Sequence, residues 1–564
     1  MGPLLDRLPL WLAAGLCATL GAPAYAVPTL DITPVWTNWA SGTEGTELEG
    51  GAEIVAIDAA SNRAFVTNSE NETVDVLVLT GPDEGSYVGS FDVSSFGAPN
   101  SVAVSNGKVA IAVENGGSKQ DLGQVWFFDA NETDFAAPSV STVEVGALPD
   151  MLTFTPDGGT VLVANEGEPD FYGAGSTDPE GSVSIIEVAS MTVSAQIGFG
   201  AVALDPLVRI SSPGATQAQD IEPEYISVSP DGSTAFVTLQ ENNAVAVIDI
   251  ASNTLTRVDA LGYKDHSLDG NGLDASNRDD IDGNIQTYEG LFGLYMPDAI
   301  DCYKPRGKGK GKGKKTYCIT ANEGDDRGDA DEDARGDAIR FKDIEDVISF
   351  GRSGIEVSDA LAAMDLGADE ALGRLNISSI DGFDGDGKLD QLYSYGARSF
   401  TIWDEDGEIV WDSGDALEQI TAAAFPAYFN ASNDANEDDG KPAIDDRSDN
   451  KGPEPEAVTI TKIRGEHYAF IGLERIGGFV VYNVSDPENP EFVLYENNRD
   501  FSADNVMVEA GMAGDLGPES ILVIDKKDSP LKGTALVVVA NEVSGSTTIY
   551  ALNAKTGKGK RKDK

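Results

Sequence analysis

Pro149-Asp150-Met151-Leu152-Thr153-Phe154-Thr155-Pro156-Asp157-Gly158-Gly159-Thr160-Val161-Leu162-Val163-Ala164-Asn165-Glu166 reads as one antiparallel hairpin. Two short apolar runs flank Asp157-Gly158, a dipeptide that turns a hairpin tightly; Asp231-Gly232 repeats it further on. The unit opens on Pro and an acid and closes on Asn and Glu. The start of a hairpin's first strand and the end of its second lie at the same end. Asp150 and Asn165-Glu166 are therefore expected side by side.

The same unit recurs along the chain. Glu53 and Asn68 bracket the first copy, Pro99-Asn100 and Glu114-Asn115 the second, and Pro223-Glu224 and Gln240-Glu241 the fourth. Pro297-Asp298 with Asn322-Glu323, Pro455-Glu456 with Glu474-Arg475, and Pro518-Glu519 with Asn541-Glu542 complete seven. Further short strands follow the hairpins, as at 183–188 and 244–248. Four strands per repeat make a propeller blade. The expected fold is all-β, a seven-bladed β-propeller over residues 27–553. The last unit supplies three strands, ending near Leu552. Leu30 to Trp39 is expected to be its fourth, joining the chain ends and removing exposed sheet edges. More chain lies between Asp298 and Glu456 than a blade needs. Residues from about 324 to 455 read as an insertion in blade five, with loops, a helix from Val357 to Leu375, and that blade's outer strands at 398–403 and 408–411.

In a propeller the first strand of each blade lines the central channel. Glu53, Asn100, Asp150, Glu224, Asp298, Glu456 and Glu519 should then form a ring on one face. Asn68, Glu114, Asn165, Glu166, Glu241, Asn322, Glu323, Glu474, Asn541 and Glu542 should form a tier behind it. Crowded like charges need neutralising. A hard cation with oxygen ligands does this, and Ca²⁺ tolerates irregular geometry. Ca²⁺ is the expected cofactor, with Asp150, Glu166, Glu224, Asp298, Glu323, Glu456, Glu519 and Glu542 as candidate ligands. Arg327, Arg398, Arg447, Lys451 and Arg475 lie in or beside the same loops and offer an alternative counterweight. In any single blade, a blander account serves: Asn or Glu caps a strand end and Pro stiffens a turn. Asp384, Asp386 and Asp390, at offsets zero, two and six with interleaved Gly, read as a separate calcium loop lacking the bidentate Glu of an EF-hand. Asp325, Asp326, Asp329, Asp331 and Asp333 read as a solvated acidic loop.

Composition narrows the function classes. Asp and Glu number 95 against 39 Lys and Arg, a net charge of −56. Nucleic acid is excluded as a partner, because phosphate is repelled over most of the surface. The two histidines are His266, in a polar loop, and His467, in a turn on the face opposite the acids. That placement argues against a His-dependent triad or a zinc site. Arg7, the apolar run from Leu8 to Leu20 and Ala24-Tyr25-Ala26 form an export leader over 1–26. The run is short for a membrane span, and the sequence carries no second one. The protein is expected to be exported, extracellular or periplasmic, and monomeric. Cys302 and Cys318 flank a Lys/Gly stretch (304–312) and are expected to close it as a disulfide-bonded hairpin loop. Residues 554–564 read as a disordered basic tail.

Gly146-Ala147-Leu148-Pro149-Asp150-Met151, Asn165-Glu166-Gly167-Glu168-Pro169, Asp220-Ile221-Glu222-Pro223-Glu224-Tyr225, Asn322-Glu323-Gly324-Asp325-Asp326-Arg327, Asp449-Asn450-Lys451-Gly452-Pro453-Glu454-Pro455-Glu456 and Gly517-Pro518-Glu519-Ser520 together resemble the bacterial choice-of-anchor I family. That family is similar to mesenchyme-specific cell-surface glycoproteins linked to biomineral deposition. The resemblance implies an exported propeller displayed or released through varied C-terminal anchors, and some relatives carry an alkaline phosphatase label. Here only the basic tail follows the last blade. Two functions are consistent with these readings. One is a calcium-binding surface or matrix protein that engages a polymeric or phosphorylated ligand. The other is a metal-dependent phosphoesterase, with rim-held calcium clamping a phosphate and activating water while Arg327, Arg398, Arg447, Lys451 or Arg475 offsets its charge.

Overall fold

The computed structural model describes residues 29–40, 49–173, 175–279, 281, 283–305, 315–328, 336–349, 352–433, 442–504 and 512–555. The leader, the Lys/Gly stretch from 306, Asp329, Asp331, Asp333 and the tail from 556 lie outside the described residues.

Among the described residues, seven four-stranded sheets and one five-stranded sheet are formed. The innermost strands of the seven are Val55–Asp58, Pro99–Ser105, Pro149–Phe154, Ile226–Val228, Ile300–Tyr303, Pro455–Ile463 and Pro518–Ile524. Each packs on the next in chain order, and the last packs on the first. The molecule is a β-propeller. Its closing blade is completed by Thr29–Trp39, which pairs antiparallel with Ser546–Lys555. The expected fourth strand is thus present, and the C-terminal strand runs slightly into the segment expected to be tail.

Blades stack face to face, so each second strand is buried on both sides and reads as a continuous apolar run. Val161, Leu162, Val163 and Ala164 are all fully buried. Large side chains bridge neighbours: Phe91 of the first blade stacks on Phe128 of the second at 4.2 Å between ring centres. Burying such a ring contributes roughly 1.5–3 kcal/mol. The Asp157-Gly158 hairpin is wider than the two-residue turn expected. Thr155 pairs with Thr160, and Asp157 Oδ1 accepts from Thr155 Oγ1 (2.7 Å) and from the Gly159 amide (2.9 Å).

The fifth blade consists of Ile300–Tyr303, Tyr317–Asn322, Ser399–Asp404 and Ile409–Asp412, so the outer strands lie where the sequence put them. Cys302 and Cys318 face each other across its first two strands and are disulfide-bonded. The insertion differs from expectation. It starts earlier, and it contains a five-stranded sheet of Tyr263–Asp265, Leu291–Leu294, Leu392–Ser394, Asn376–Ser378 and Ala338–Arg340. Two of these strands precede blade five's first strand, and one pairing is parallel. The helix expected over 357–375 shrinks to Asp359–Ala362. Ser358 caps its start, and Asp365, with φ 56°, turns the chain away just beyond its end.

Candidate functional site

Two local devices aim the acids at the axis. In four blades, the strand register shifts directly after the opening Pro: at Pro99, Pro149, Pro455 and Pro518. A bulge leaves one residue outside the ladder and re-aims its side chain. In the second and last blades the residue left out is Asn100 or Glu519; in the third and sixth it is the pair Asp150-Met151 or Glu456-Ala457, whose first member is the ring acid. The second device precedes the Pro. Leu148, Met296 and Glu454 have φ of 46°, 41° and 48°, and Gly517 has 67°. Left-handed backbone is costly for residues other than Gly and clusters at functional sites. In three of these blades, the turn directs the carbonyl before Pro at the closing Glu: the amides of Glu166, Glu474 and Glu542 donate to Leu148, Glu454 and Gly517 at 2.9, 2.9 and 2.7 Å. Start and finish of a blade are thereby tied together.

The closing dipeptides divide their labour. Asn165, Asn322 and Asn541 are buried and lock the second strand to the third, with amide groups donating to Ser182 and Ser184, to Ser399 and Thr401, and to Ser546. For these asparagines, strand capping is the correct account. Glu166, Glu323 and Glu542, one residue on, face the axis.

All seven ring positions line one cavity of about 460 Å³: Glu53, Asn100, Asp150, Glu224, Asp298, Glu456 and Glu519. Glu114, Glu166, Glu168, Glu323 and Glu542 join them. Among the described residues the wall thus carries eleven carboxyl groups and one cation, Lys119. Ile54, Ser101, Met151 and Tyr225 also border a second cavity of about 550 Å³ at the channel's other end, where strand backbones and apolar side chains dominate.

Burial sets the electrostatics. It pushes Glu53 up to about 8, with Glu542 and Asp150 adding repulsion. It raises Asp150 and Asp298 to about 7 and Glu474 to about 8. Glu166, Glu224, Glu456 and Glu519 are held well above their ordinary range by burial and then by one another or other nearby acids. One sector has counter-charge. Glu323 accepts from Lys451 (2.6 Å) and Gln240 (3.0 Å). Arg475 lies 3.2 Å from Glu474. Against burial, Arg447, Lys451 and Arg475 hold Glu454 down at about 2. Beside these cations, Glu323, Glu456 and Glu474 bring one oxygen each within 4.8 Å of the others, the single such trio among the described residues.

The remaining candidates separate from the mouth. Asp384, Asp386 and Asp390 are not among the described carboxylates whose oxygens gather within 4.8 Å; Asp384 Oδ1 accepts from the amides of Asp386 and Lys388, and Asp390 accepts from Ser358 (2.6 Å). The loop has the bonding of a self-capped turn. Arg398 binds Glu418 and the carbonyls of Asp274, Ser448 and Asn450, tying the insertion together. Arg327 is buried between Asp220 and Glu222. His266 is buried rather than solvated, with Nδ1 2.6 Å from the Asn271 carbonyl. Lys119 was not expected at the mouth; Gln240 was legible only as half of the fourth closing pair, and Glu168 only as part of Asn165-Glu166-Gly167-Glu168-Pro169.

Glu323 is held by an unusually close backbone crossing. A Cβ on Gly324 would lie 2.1 Å from the Gly396 nitrogen, and one on Gly396 2.0 Å from the Glu323 carbonyl. Both glycines have positive φ. Gly324→Ala is therefore expected to destabilise the protein by about 2 kcal/mol or more. The check is a lowered urea midpoint with the slope unchanged.

A choice-of-anchor I domain model matches residues 53–487. The chain is 30% identical over 188 residues to Gigasin-3a of Magallana gigas, covering 32% of this chain and 65% of that protein. It is 28% identical over 295 residues to the Mesenchyme-specific cell surface glycoprotein of Strongylocentrotus purpuratus, covering 49% and 37%. The chain spans less than two thirds of either relative's length. Among solved structures, the WD40 domain of Toxoplasma gondii coronin aligns with a TM-score of 0.45 at 8% identity, over 95% of this chain and 88% of that one.

Proposed function

Because this chain belongs to the choice-of-anchor I family, we propose that it is an exported, surface-associated propeller that holds Ca²⁺ in its acidic mouth and engages an anionic extracellular ligand, polymeric or phosphorylated, through it. The observation that carries the reading is the wall itself, with eleven carboxyl groups facing one lysine. Ionising so many buried acids together is costly unless cations accompany them. The donors are all hard oxygens gathered from seven different sheets, a set that suits Ca²⁺ better than a soft or strictly octahedral ion. The Glu323, Glu456 and Glu474 trio marks the densest point, though Lys451 and Gln240 already occupy Glu323 there, so the reading rests on the ring as a whole. The name of the sea-urchin relative accords with a place at the cell surface. Among the described residues, no helix is long and apolar enough to cross a membrane.

Lys451 and Arg475 beside that trio favour a second reading, a calcium-dependent phosphoesterase, because a bound ester would meet metal and cation together. One preparation tests both. After dialysis against calcium and then metal-free buffer, elemental analysis should find Ca²⁺ retained, and a chromogenic phosphate ester should show no EDTA-sensitive turnover. Protein that keeps no calcium sinks the first reading, and EDTA-sensitive hydrolysis selects the second.

A further inference from the structure

Beside the axial mouth lies a chamber of about 570 Å³, whose wall includes Glu166, Glu168, Tyr172, Glu241 and Arg327. We propose that this chamber is a second, off-axis divalent-cation site between the third and fourth blades, its ion held by Glu166, Glu168 and Glu241 on the wall and by Glu222, which adjoins the wall through Arg327. The proposal does not depend on the axial ring taking calcium.

The charge count comes first. Arg327 is fully buried, and its guanidinium is committed to Asp220 and to Glu222 Oε2 (2.7 Å) while lying over the Tyr172 ring at 5.3 Å. One guanidinium therefore serves two acids directly, with Glu166, Glu168 and Glu241 close by. The second observation is independent of the count. Glu222 Oε1 and Glu241 Oε2 are buried with no hydrogen-bond partner, on side chains whose residues are 1% and 4% exposed. A buried oxygen left unsatisfied costs about 1–3 kcal/mol, more when charged. The four carboxylates are not packed as tightly as the axial trio, so the ion completes its shell with water, which Ca²⁺ accepts.

Local sequence builds both sites at once. In Glu222-Pro223-Glu224, the first acid binds Arg327 and the second lines the axial cavity. In Glu166-Gly167-Glu168, Gly167 turns with φ 74° and both acids border the two chambers. Gly181 lets these segments touch, because a Cβ there would lie 1.9 Å from the Ile221 carbonyl.

Tb³⁺, an oxygen-seeking calcium substitute, emits when a nearby tyrosine absorbs, and Tyr172 borders this chamber. With the full chain, Tyr172→Phe should remove one saturable phase of sensitised emission while calcium content is unchanged. Glu222→Gln with Glu241→Gln should lower bound calcium by about one equivalent. Glu456→Gln with Glu519→Gln, on the axis, should leave the Tyr172-dependent phase intact. Emission indifferent to Tyr172→Phe overturns the proposal and leaves the axial reading standing, and that variant keeps every carboxylate should the double variant fail to fold. Loss of the Tyr172-dependent phase in the axial variant also overturns it, since the chamber would then hold no ion of its own.

Discussion

Stripped of metal with EDTA, the protein loses thermal stability as pH is raised from about 6 to about 9, and added calcium offsets part of that loss. Glu53 and Glu474 are raised to about 8 and Asp150 and Asp298 to about 7. In the unfolded chain such groups titrate near 4. Between those limits the folded protein keeps protons that the unfolded chain has released. The stabilisation is complete below the unfolded values and is lost as pH climbs through the folded ones. Each tenfold difference in proton affinity is worth about 1.4 kcal/mol, so several coupled acids make a large effect. Calcium competes with those same protons and therefore binds more tightly as pH rises. At a thousandfold excess over its Kd, one ion adds about 4 kcal/mol. A Tm rise of roughly 3–4 °C per ion at pH 9, and much less at pH 6, is expected for a chain of this size. Equal calcium shifts at both pH values, or a metal-free Tm that climbs over this range, would contradict the electrostatics of the mouth.

The blade repeat was readable because it rests on short-range rules. Pro, an acid, a tight turn and Asn-Glu lie within about one hairpin, and antiparallel pairing alone puts both ends together. The bulges were not readable: alternation in Pro149 to Phe154 looks the same whether or not Asp150 leaves the ladder, yet the bulge is what points it inward. Nor could spacing say that Asn165 faces the next strand while Glu166 faces the axis. The partners of the arginines were hidden for a related reason. What holds Arg327, Arg398 and Arg447 is an acid elsewhere in the fold (Asp220, Glu418 and Glu454), and any nearby arginine looks available until that partner is located. The inserted sheet is built from strands of three or four residues drawn from both sides of a blade, one pair parallel, which leaves little periodicity to find.

Replacing Glu224, Glu456 and Glu519 together by Gln should make the metal-free protein more stable at pH 8 and remove most of its response to calcium. Glu224 and Glu456 are buried and Glu519 half-buried; all three are raised well above their ordinary range and repel Asp298 or one another. Gln keeps the volume and removes the charge, so both the desolvation penalty and the repulsion fall. Little bonding is lost. Glu224 Oε2 has no partner to lose, and an amide at 456 still donates to Asp298, which Glu456 now contacts. The expected metal-free Tm is several degrees above the parent at pH 8, about where the parent stands with calcium. Toward pH 5 the difference should shrink, because protonation removes the same charges from the parent. A structural role for the ring predicts the opposite pattern: acids that hold the blades together through hydrogen bonds would make the triple variant weaker at every pH, with its calcium shift preserved. Scans at the two pH values, each with EDTA and with calcium, separate the cases.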